Sequence, residues 1–425
     1  MSRASGEFSP VRCLRDRHRG APVQKYVVAL LGARMHYAIP RMLHDAGMLE
    51  RLYTDIVANK GWPRLLTGLP TRWRPLALGQ LAGRVPQGIP PDKIAAFPVF
   101  GLDYWRRKRR SRSAAEENLT YLWSGRRFGE LVVSGGFGGA TGVFVFDGAG
   151  LEILEAARQQ GLRTVIEQSV APRELVFRLL AEEHERFPGW EPALPDAAQV
   201  EVLVSRERSE WALADRILCG SDFVAEGIGQ CSGPFARAVV VPYGVDARFS
   251  RSEPRTRGKG PLRVLTVGEV SLRKGAPDIL EAARLLGHEA EFRLVGPVGL
   301  NERGAASFNE VAPLRGAVAR TAMRAEYDWA DVFLLPSICE GSATVVYEAL
   351  AAGLPVICTP NTGTVVRDGV EGFIVPIRQP SAIADKLAYL MAHPRLMTEM
   401  SANALARSAD YTLDHYRRRL LHALR

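Results

Sequence analysis

ADVFLLPSICEGSATVVYEALAAGLPVIC, residues 330–358, contains one full period of the fold. Val332 to Leu335 is an apolar run of strand length, Pro336 and Ser337 turn the chain, Thr344 to Ala352 has helical spacing, and Pro355 to Cys358 is apolar again. Strand, helix and strand in succession describe an α/β layer, a parallel sheet covered by helices.

The alternation extends in both directions. Upstream it gives strand Val264 to Val267, helix Ala276 to Leu286, strand Phe292 to Val295 and helix Ala319 to Trp329; downstream it gives helix Ala382 to Ala392. In the first half, Tyr26 to Leu31 runs into Gly32 and helical spacing through Leu43. The runs Leu131 to Val133, Val143 to Phe146 and Arg163 to Ile166 then alternate with the helical stretch Leu151 to Gln159. Between Val241 and Leu262 the pattern dissolves into VPYGVDARFSRSEPRTRGKGPL, which offers little to bury and reads as a linker. The expected organisation is a flexible tail over 1–24, a Rossmann-like domain over 25–242, a linker over 243–262, a second Rossmann-like domain over 263–400, and a helix within 401–425 packing against the domains.

A length of 425 residues suits two domains, and 47% hydrophobic with 24% charged residues is globular composition. A net charge of +9 favours anionic partners without naming one. Cys13, Cys219, Cys231, Cys339 and Cys358 lack the spacing of a disulfide framework or zinc site, and a reducing compartment fits them. The first two dozen residues lack the apolar segment of a secretory signal, and no uninterrupted stretch is apolar enough to span a bilayer. The expectation is a cytoplasmic protein. WRRKRRSR, residues 105–112, is a basic surface whose sharper reading is docking to an anionic membrane on its inner face.

Chemistry concentrates in PSICEGSATVVYE, residues 336–348. Glu340 follows a buried strand, Gly341 permits close backbone approach, and Ser342 is expected to cap the helix carrying Glu348. The amides near Ser342, Ala343 and Thr344 then face out of a helix N-terminus, where a pyrophosphate belongs. The carboxylates of Glu340 and Glu348 lie on the order of 10 Å apart at about 1.5 Å rise per residue, a span that suits the two ends of a nucleotide-sugar. In VGEVSLRKG, residues 267–275, Gly268 makes a turn after the strand, and Arg273 and Lys274 can neutralise a departing diphosphate.

Glu340 and Glu348 in this setting resemble the Glu-x7-Glu motif of retaining GT-B glycosyltransferases, in particular family 4. The 267–275 segment is similar to that family's VGR-then-KG signature, with Glu269 where many members have Arg. VPYGVD at 241–246 and NTGTVVRDGVEGFIV at 361–375 resemble its interdomain and glycine-rich segments, and GARMHYAIPR at 32–41 looks like its first glycine loop. The resemblance implies two Rossmann-like domains facing each other across a cleft. Glu340 would contact the donor sugar and Glu348 the ribose, and Gly32 would belong to the loop facing the donor phosphate and acceptor. Where many relatives carry a His at the end of a central strand, this chain has Glu167 and Gln168; Glu167 and His36 are the candidates on the acceptor side.

The implied activity is transfer of a hexose, with retention, from a nucleotide-diphosphate sugar to a hydroxyl of a saccharide or lipid-linked acceptor in polysaccharide biosynthesis. No Asp-x-Asp motif is present, so neither a metal nor a cofactor is expected. The alternative is a non-catalytic nucleotide-sugar-binding or scaffold protein of the same fold, which Glu269 and the missing His make reasonable. Nucleic-acid binding finds no aromatic-rich or zinc-finger motif. A dehydrogenase is disfavoured by GGFGG at 135–139, which lacks GxGxxG spacing, and no Walker A motif occurs.

Overall fold

The computed structural model describes residues 24–61, 63–64, 81, 83–309 and 311–425, so the tail expected over 1–24 lies, apart from its last residue, outside the described residues. In the first half, strands β1 (Tyr26–Leu30), β2 (Leu49–Thr54), β3 (Ile94–Ala96), β4 (Gly142–Phe146), β5 (Arg163–Gln168), β6 (Arg216–Cys219) and β7 (Ala238–Val240) form one sheet in the order β3-β2-β1-β4-β5-β6-β7. Helices α1 (Ala38–Asp45), α2 (Pro98–Arg110), α3 (Ala114–Gly135), α4 (Leu151–Gln159), α5 (Arg173–Arg186), α6 (Ala197–Leu213) and α7 (Asp222–Gln230) connect or cover these strands.

In the second half, β8 (Leu262–Val267), β9 (Ala290–Val295), β10 (Val332–Leu335), β11 (Val356–Cys358) and β12 (Gly372–Ile374) pair in the order β12-β11-β10-β8-β9. Helices α8 (Ala276–Leu286), α9 (Glu302–Ala306), α10 (Met323–Trp329), α11 (Thr344–Ala351) and α12 (Pro380–Ala392) accompany them. Every pairing in both sheets is parallel. The expectation of two Rossmann-like α/β domains is borne out. Strands such as YVVAL and VFLL are apolar at every position because helices on both faces leave neither face to water.

Strand order reverses between β1 and β4 in the first sheet and between β8 and β10 in the second. Connections leave opposite faces there, opening a crevice beyond the carboxyl ends of the strands. The segments after β1, β4, β8 and β10 therefore face the cleft: Gly32 to Tyr37, Asp147, Gly268 to Lys274, and Pro336 to Gly341.

Four expectations are corrected. Leu131 to Val133 lies inside α3, where Phe128 and Val132, four apart, are fully buried; three apolar residues are too few to reveal a period. The helix expected from Ala319 begins only at Met323. The single terminal helix is two, α13 (Pro394–Ala409) and α14 (Leu413–Ala423), because the chain turns at Asp410 to Thr412 and Thr412 Oγ1 accepts from His415 N–H at 3.2 Å. The linker buries much more than its composition suggests. Tyr243, Val245 and Phe249 are buried, and the Arg255 guanidinium donates to the carbonyls of Ala352 (2.8 Å), Ala330 (3.0 Å) and Tyr327 (2.9 Å). Isolated apolar and Arg residues carry no periodicity, so this packing leaves no mark on the sequence pattern.

The chain passes between the domains twice, near 241–246 and again at 410–412, where Val245 N–H donates to Tyr411 O at 2.8 Å. Beyond the second passage α14 returns to the first domain: Tyr416, Leu420 and Leu424 are buried there, and Tyr26 Oη donates to Leu424 O at 3.2 Å.

Candidate functional site

On the second domain, β8 ends at Val267 and Gly268 turns the chain at φ +136°, a conformation costly for any residue with a side chain. A 3-10 turn over Leu272–Lys274 follows. Across the strand-order reversal, the segment after β10 brings Glu340 to the same place. One oxygen, Glu340 Oε1, accepts from Arg273 Nη1 at 2.7 Å and pairs with Lys274 Nζ at 2.7 Å. Burial pulls the Lys274 ammonium below its usual pKa, partly offset by Glu340. Burial also works against the Arg273 charge, but Glu340 and neighbouring Cys339 and Glu269 hold it above its usual value.

Gly341 sits against the first domain. A Cβ there would lie 2.1 Å from Ser169 O, and Ser221 Oγ donates to Gly341 O at 2.5 Å. Contrary to the expectation, Ser342 does not cap α11. Ala343 occupies the cap position, and Ser342 Oγ instead meets Tyr347 Oη at 2.8 Å and Gly363 O at 3.3 Å. Ser342 is one residue too early to reach the first-turn amides. Of those amides, Val346 N–H already donates to Ala343 O at 2.9 Å, while those of Thr344 and Val345 come too early in the helix for an intrahelical acceptor. Glu348 Oε2 accepts from Tyr327 Oη at 2.8 Å, Arg320 Nη2 lies 4.0 Å from Glu348 Oε1, and burial raises the Glu348 pKa.

On the first domain, β1 runs into Gly32, whose N–H donates to Asp55 Oδ1 at 3.2 Å. Met35, His36 and Tyr37 then have φ of 46°, 50° and 60°. Three successive side-chain-bearing residues in the left-handed region cost about 1–3 kcal/mol each. This backbone turns His36 into the cleft, where burial, followed by Arg320, Arg248 and Arg41, pushes its pKa down. Glu167, the last residue but one of β5, is almost wholly buried; Tyr243 Oη donates to it at 2.9 Å, and burial carries its pKa to about 7 against the pull of Arg34 and Tyr243.

A cavity of about 620 Å³ lies between the domains. His36 and Arg41 line it from the first domain and Ser342, Thr344 and Glu348 from the second. Gly32, Glu167, Gly268, Arg273, Lys274, Glu340, Gly341 and Ala343 do not belong to its wall. Glu167 stands behind Tyr243, which does. The structure thus joins Glu340, Arg273 and Lys274 in one cluster and His36 and Glu348 in one cavity, with Gly341 and Ser342 carrying the chain between them.

Arg34, Tyr243, Arg248 and Arg320 also line the cavity and were not singled out from the sequence. Arg34 and Tyr243 fall within segments whose resemblance was noted; Arg320 carries no local signal. Glu191 is a further omission. Lying on the first domain, it accepts from Leu272 N–H at 2.5 Å and so fixes the turn bearing Arg273 and Lys274. Among the described residues no group of three or more His, Cys, Asp or Glu is placed to hold a metal ion, and no helix is long and apolar enough to cross a membrane.

Comparison with known proteins agrees with this fold. The family model described as glycosyl transferases group 1 matches residues 261–393. A Salmonella typhimurium glycosyltransferase named for colanic acid biosynthesis, WcaL, is 32% identical over 192 residues, covering 41% of this chain and 47% of its own length. A D-inositol 3-phosphate glycosyltransferase of Kineococcus radiotolerans is 29% identical over 267 residues, covering 52% of this chain and 61% of its own. The chain spans about half the length of the first curated relatives it matches, 47% and 52%. Among solved structures, Anabaena HepE in complex with UDP-glucose superposes with a TM-score of 0.59 at 12% identity, covering 94% of this chain and 99% of that one. Sucrose-phosphate synthase of Thermosynechococcus elongatus gives 0.62 at 15% identity, covering 94% and 98%. The likeness in fold extends over nearly the whole chain, and the fold is GT-B.

Proposed function

We propose, from the match of residues 261–393 to the glycosyl transferases group 1 family, that the chain is a retaining glycosyltransferase, moving a hexose from a nucleotide-diphosphate sugar to a hydroxyl of a saccharide or lipid-linked acceptor. The observation that carries the reading is the single carboxylate oxygen of Glu340 holding both Arg273 and Lys274 where strand order reverses in the second sheet. A buried Lys274 and a half-buried Arg273 sharing one carboxylate oxygen leave positive charge to spare, which a diphosphate can neutralise.

On this reading the diphosphate draws Arg273 and Lys274 onto itself and toward the first amides of α11, releasing Glu340 to bind the donor sugar. Glu348 holds the ribose. The cations and the helix N-terminus stabilise the charge that develops on the leaving diphosphate. Its departing oxygen can take the acceptor proton, so no separate strong base is required. Gly32 and His36, with Glu167 behind Tyr243, shape the acceptor side, and the contact between the domains at Gly341 excludes water. The neighbour held with UDP-glucose and the relative named for colanic acid biosynthesis support a nucleotide-sugar donor and a saccharide acceptor. Work on a lipid-linked polysaccharide intermediate would place the chain in the cytoplasm, at the inner face of the membrane.

A thermal-shift screen of UDP, GDP, ADP and dTDP tests the donor site, since a ligand of the native state raises the melting temperature. At least one should do so, and the corresponding nucleotide-sugars should turn over, with loss on Glu340→Ala. A shift without turnover by any nucleotide-sugar would favour the non-catalytic binding protein, a reading for which Glu269 speaks. No shift with any diphosphate would end both readings.

A further inference from the structure

The antiparallel hairpin of α2 and α3 combines two features that the transfer chemistry does not use. Val99, 77% exposed, is the most exposed large apolar side chain among the described residues, and Leu119 at 59% and Trp105 at 43% share the hairpin with it. The last turns of α2 and the connection to α3 carry Arg106, Arg107, Lys108, Arg109, Arg110 and Arg112.

Not all of these cations are available. Arg107 lies over the Trp123 ring at 4.0 Å and pairs with Asp103 at 3.3 Å, and Lys108 turns to Tyr121 at 3.0 Å and Glu117 at 3.6 Å, so both are occupied within the hairpin. Arg106, Arg109, Arg110 and Arg112 are left without a carboxylate partner for their guanidinium groups among the described residues. At helical spacing Val99, Asp103, Arg106 and Arg110 fall on one strip of α2, Asp103 being the carboxylate paired with Arg107, with Leu102, Trp105 and Arg109 on the strip beside it. Arg109 lies over Trp105 at 4.9 Å. Leu119 and Arg110 line the same shallow hollow, together with Arg107 and the carboxylates Asp103 and Glu116, joining α3 to this surface. Exposed apolar side chains among unpaired cations suit the boundary between acyl chains and anionic headgroups; a nucleic acid would use the cations and leave Val99 and Leu119 in water.

The hairpin is also close to the site. Its root follows β3 at the carboxyl edge of the sheet, where Phe97 N–H donates to Thr54 O at 3.0 Å. Gly101 lets α2 press against the backbone of Asp55, the residue that fixes the Gly32 turn. A surface engaged here would hold the cleft beside the bilayer.

We propose that the exposed face of the α2–α3 hairpin docks on an anionic phospholipid bilayer, bringing the cleft to an acceptor carried in the membrane. The purpose, though not the test, rests on the reading of the chain as a transferase acting on a lipid-linked intermediate. Flotation of the full chain with vesicles of equimolar phosphatidylglycerol and phosphatidylcholine should show binding that weakens about tenfold or more with phosphatidylcholine alone and falls with added salt. Replacing Arg106, Arg109, Arg110 and Arg112 together by Gln should weaken it to a similar degree. Val99→Ser combined with Leu119→Ser leaves the charge unchanged and should still weaken it, by about threefold or more. All variants should keep the melting temperature and nucleotide affinity of the parent; if the fourfold variant does not fold, Arg109→Glu alone serves. Equal binding to both vesicles, no binding, or indifference to either set of substitutions would overturn the proposal. So would tighter binding to a single-stranded RNA that the Ser pair does not affect. Failure of the transferase reading would appear instead as absent nucleotide binding, with flotation intact.

Discussion

Gly341 has no side chain at the point where the second domain meets Ser169 O of the first, and a methyl group there would need the space between them, 2.1 Å from that oxygen. Gly341→Ala should therefore hold the domains apart: small-angle scattering should show a larger radius of gyration, with turnover falling more than the stability of either domain. Glu340 makes a less intuitive prediction. Because it neutralises Arg273 and Lys274 before any ligand arrives, Glu340→Gln should lower the melting temperature of the free protein by leaving the buried Lys274 beside Arg273 with no carboxylate between them. The same variant should bind UDP or pyrophosphate several-fold more tightly, having lost the competing anion, while losing turnover. Calorimetric titration checks both, and unchanged affinity would show that the anion does not displace Glu340. These residues were legible because their identities and spacing follow a motif. Arg34 and Tyr243 were not. Their place depends on Glu167, which lies far away in sequence, and no local pattern records such a meeting.

At the level of elements, two buried acids on α6 hold neighbouring helices in place. Glu210 accepts from the amides of Gly148 (2.8 Å), Gly150 (2.9 Å) and Leu151 (3.2 Å), capping α4 from a different helix, and Glu207 accepts from Arg173 N–H at the start of α5 at 2.9 Å. Glu210→Ala leaves those donors buried without an acceptor and should cost about 1–3 kcal/mol, read from chemical denaturation. Glu201→Ala, at an exposed acid of the same helix, should change little. Such caps show why some elements escape sequence reading. The α4 helix was found, bounds included, from its apolar spacing, but its cap lies some sixty residues later in the chain. The apolar run within α3 was taken for a strand because it spans fewer residues than one period. The short strands β3, β7 and β12, three residues each, likewise offer too little pattern to be seen.

For the whole molecule, burial raises Glu167, Glu207 and Glu210 from an ordinary 4.5 to about 7. A carboxyl raised in this way keeps its proton in the folded chain over a range where the unfolded chain has lost it. Its contribution to stability is complete below about 4.5 and is lost as the pH rises through about 7. Glu167→Gln, which cannot ionise, should therefore show a smaller fall in melting temperature between pH 5 and pH 8 than the parent; parallel falls would refute the assignment. The two-domain plan was legible because strand and helix repeat through both halves, whereas the packing of 243–262 was hidden in its polar composition. The paired passages at 241–246 and 410–412, bonded through Val245 and Tyr411, work like a door hung on two adjacent pins. A protease that severed one passage would leave the halves fastened by the other.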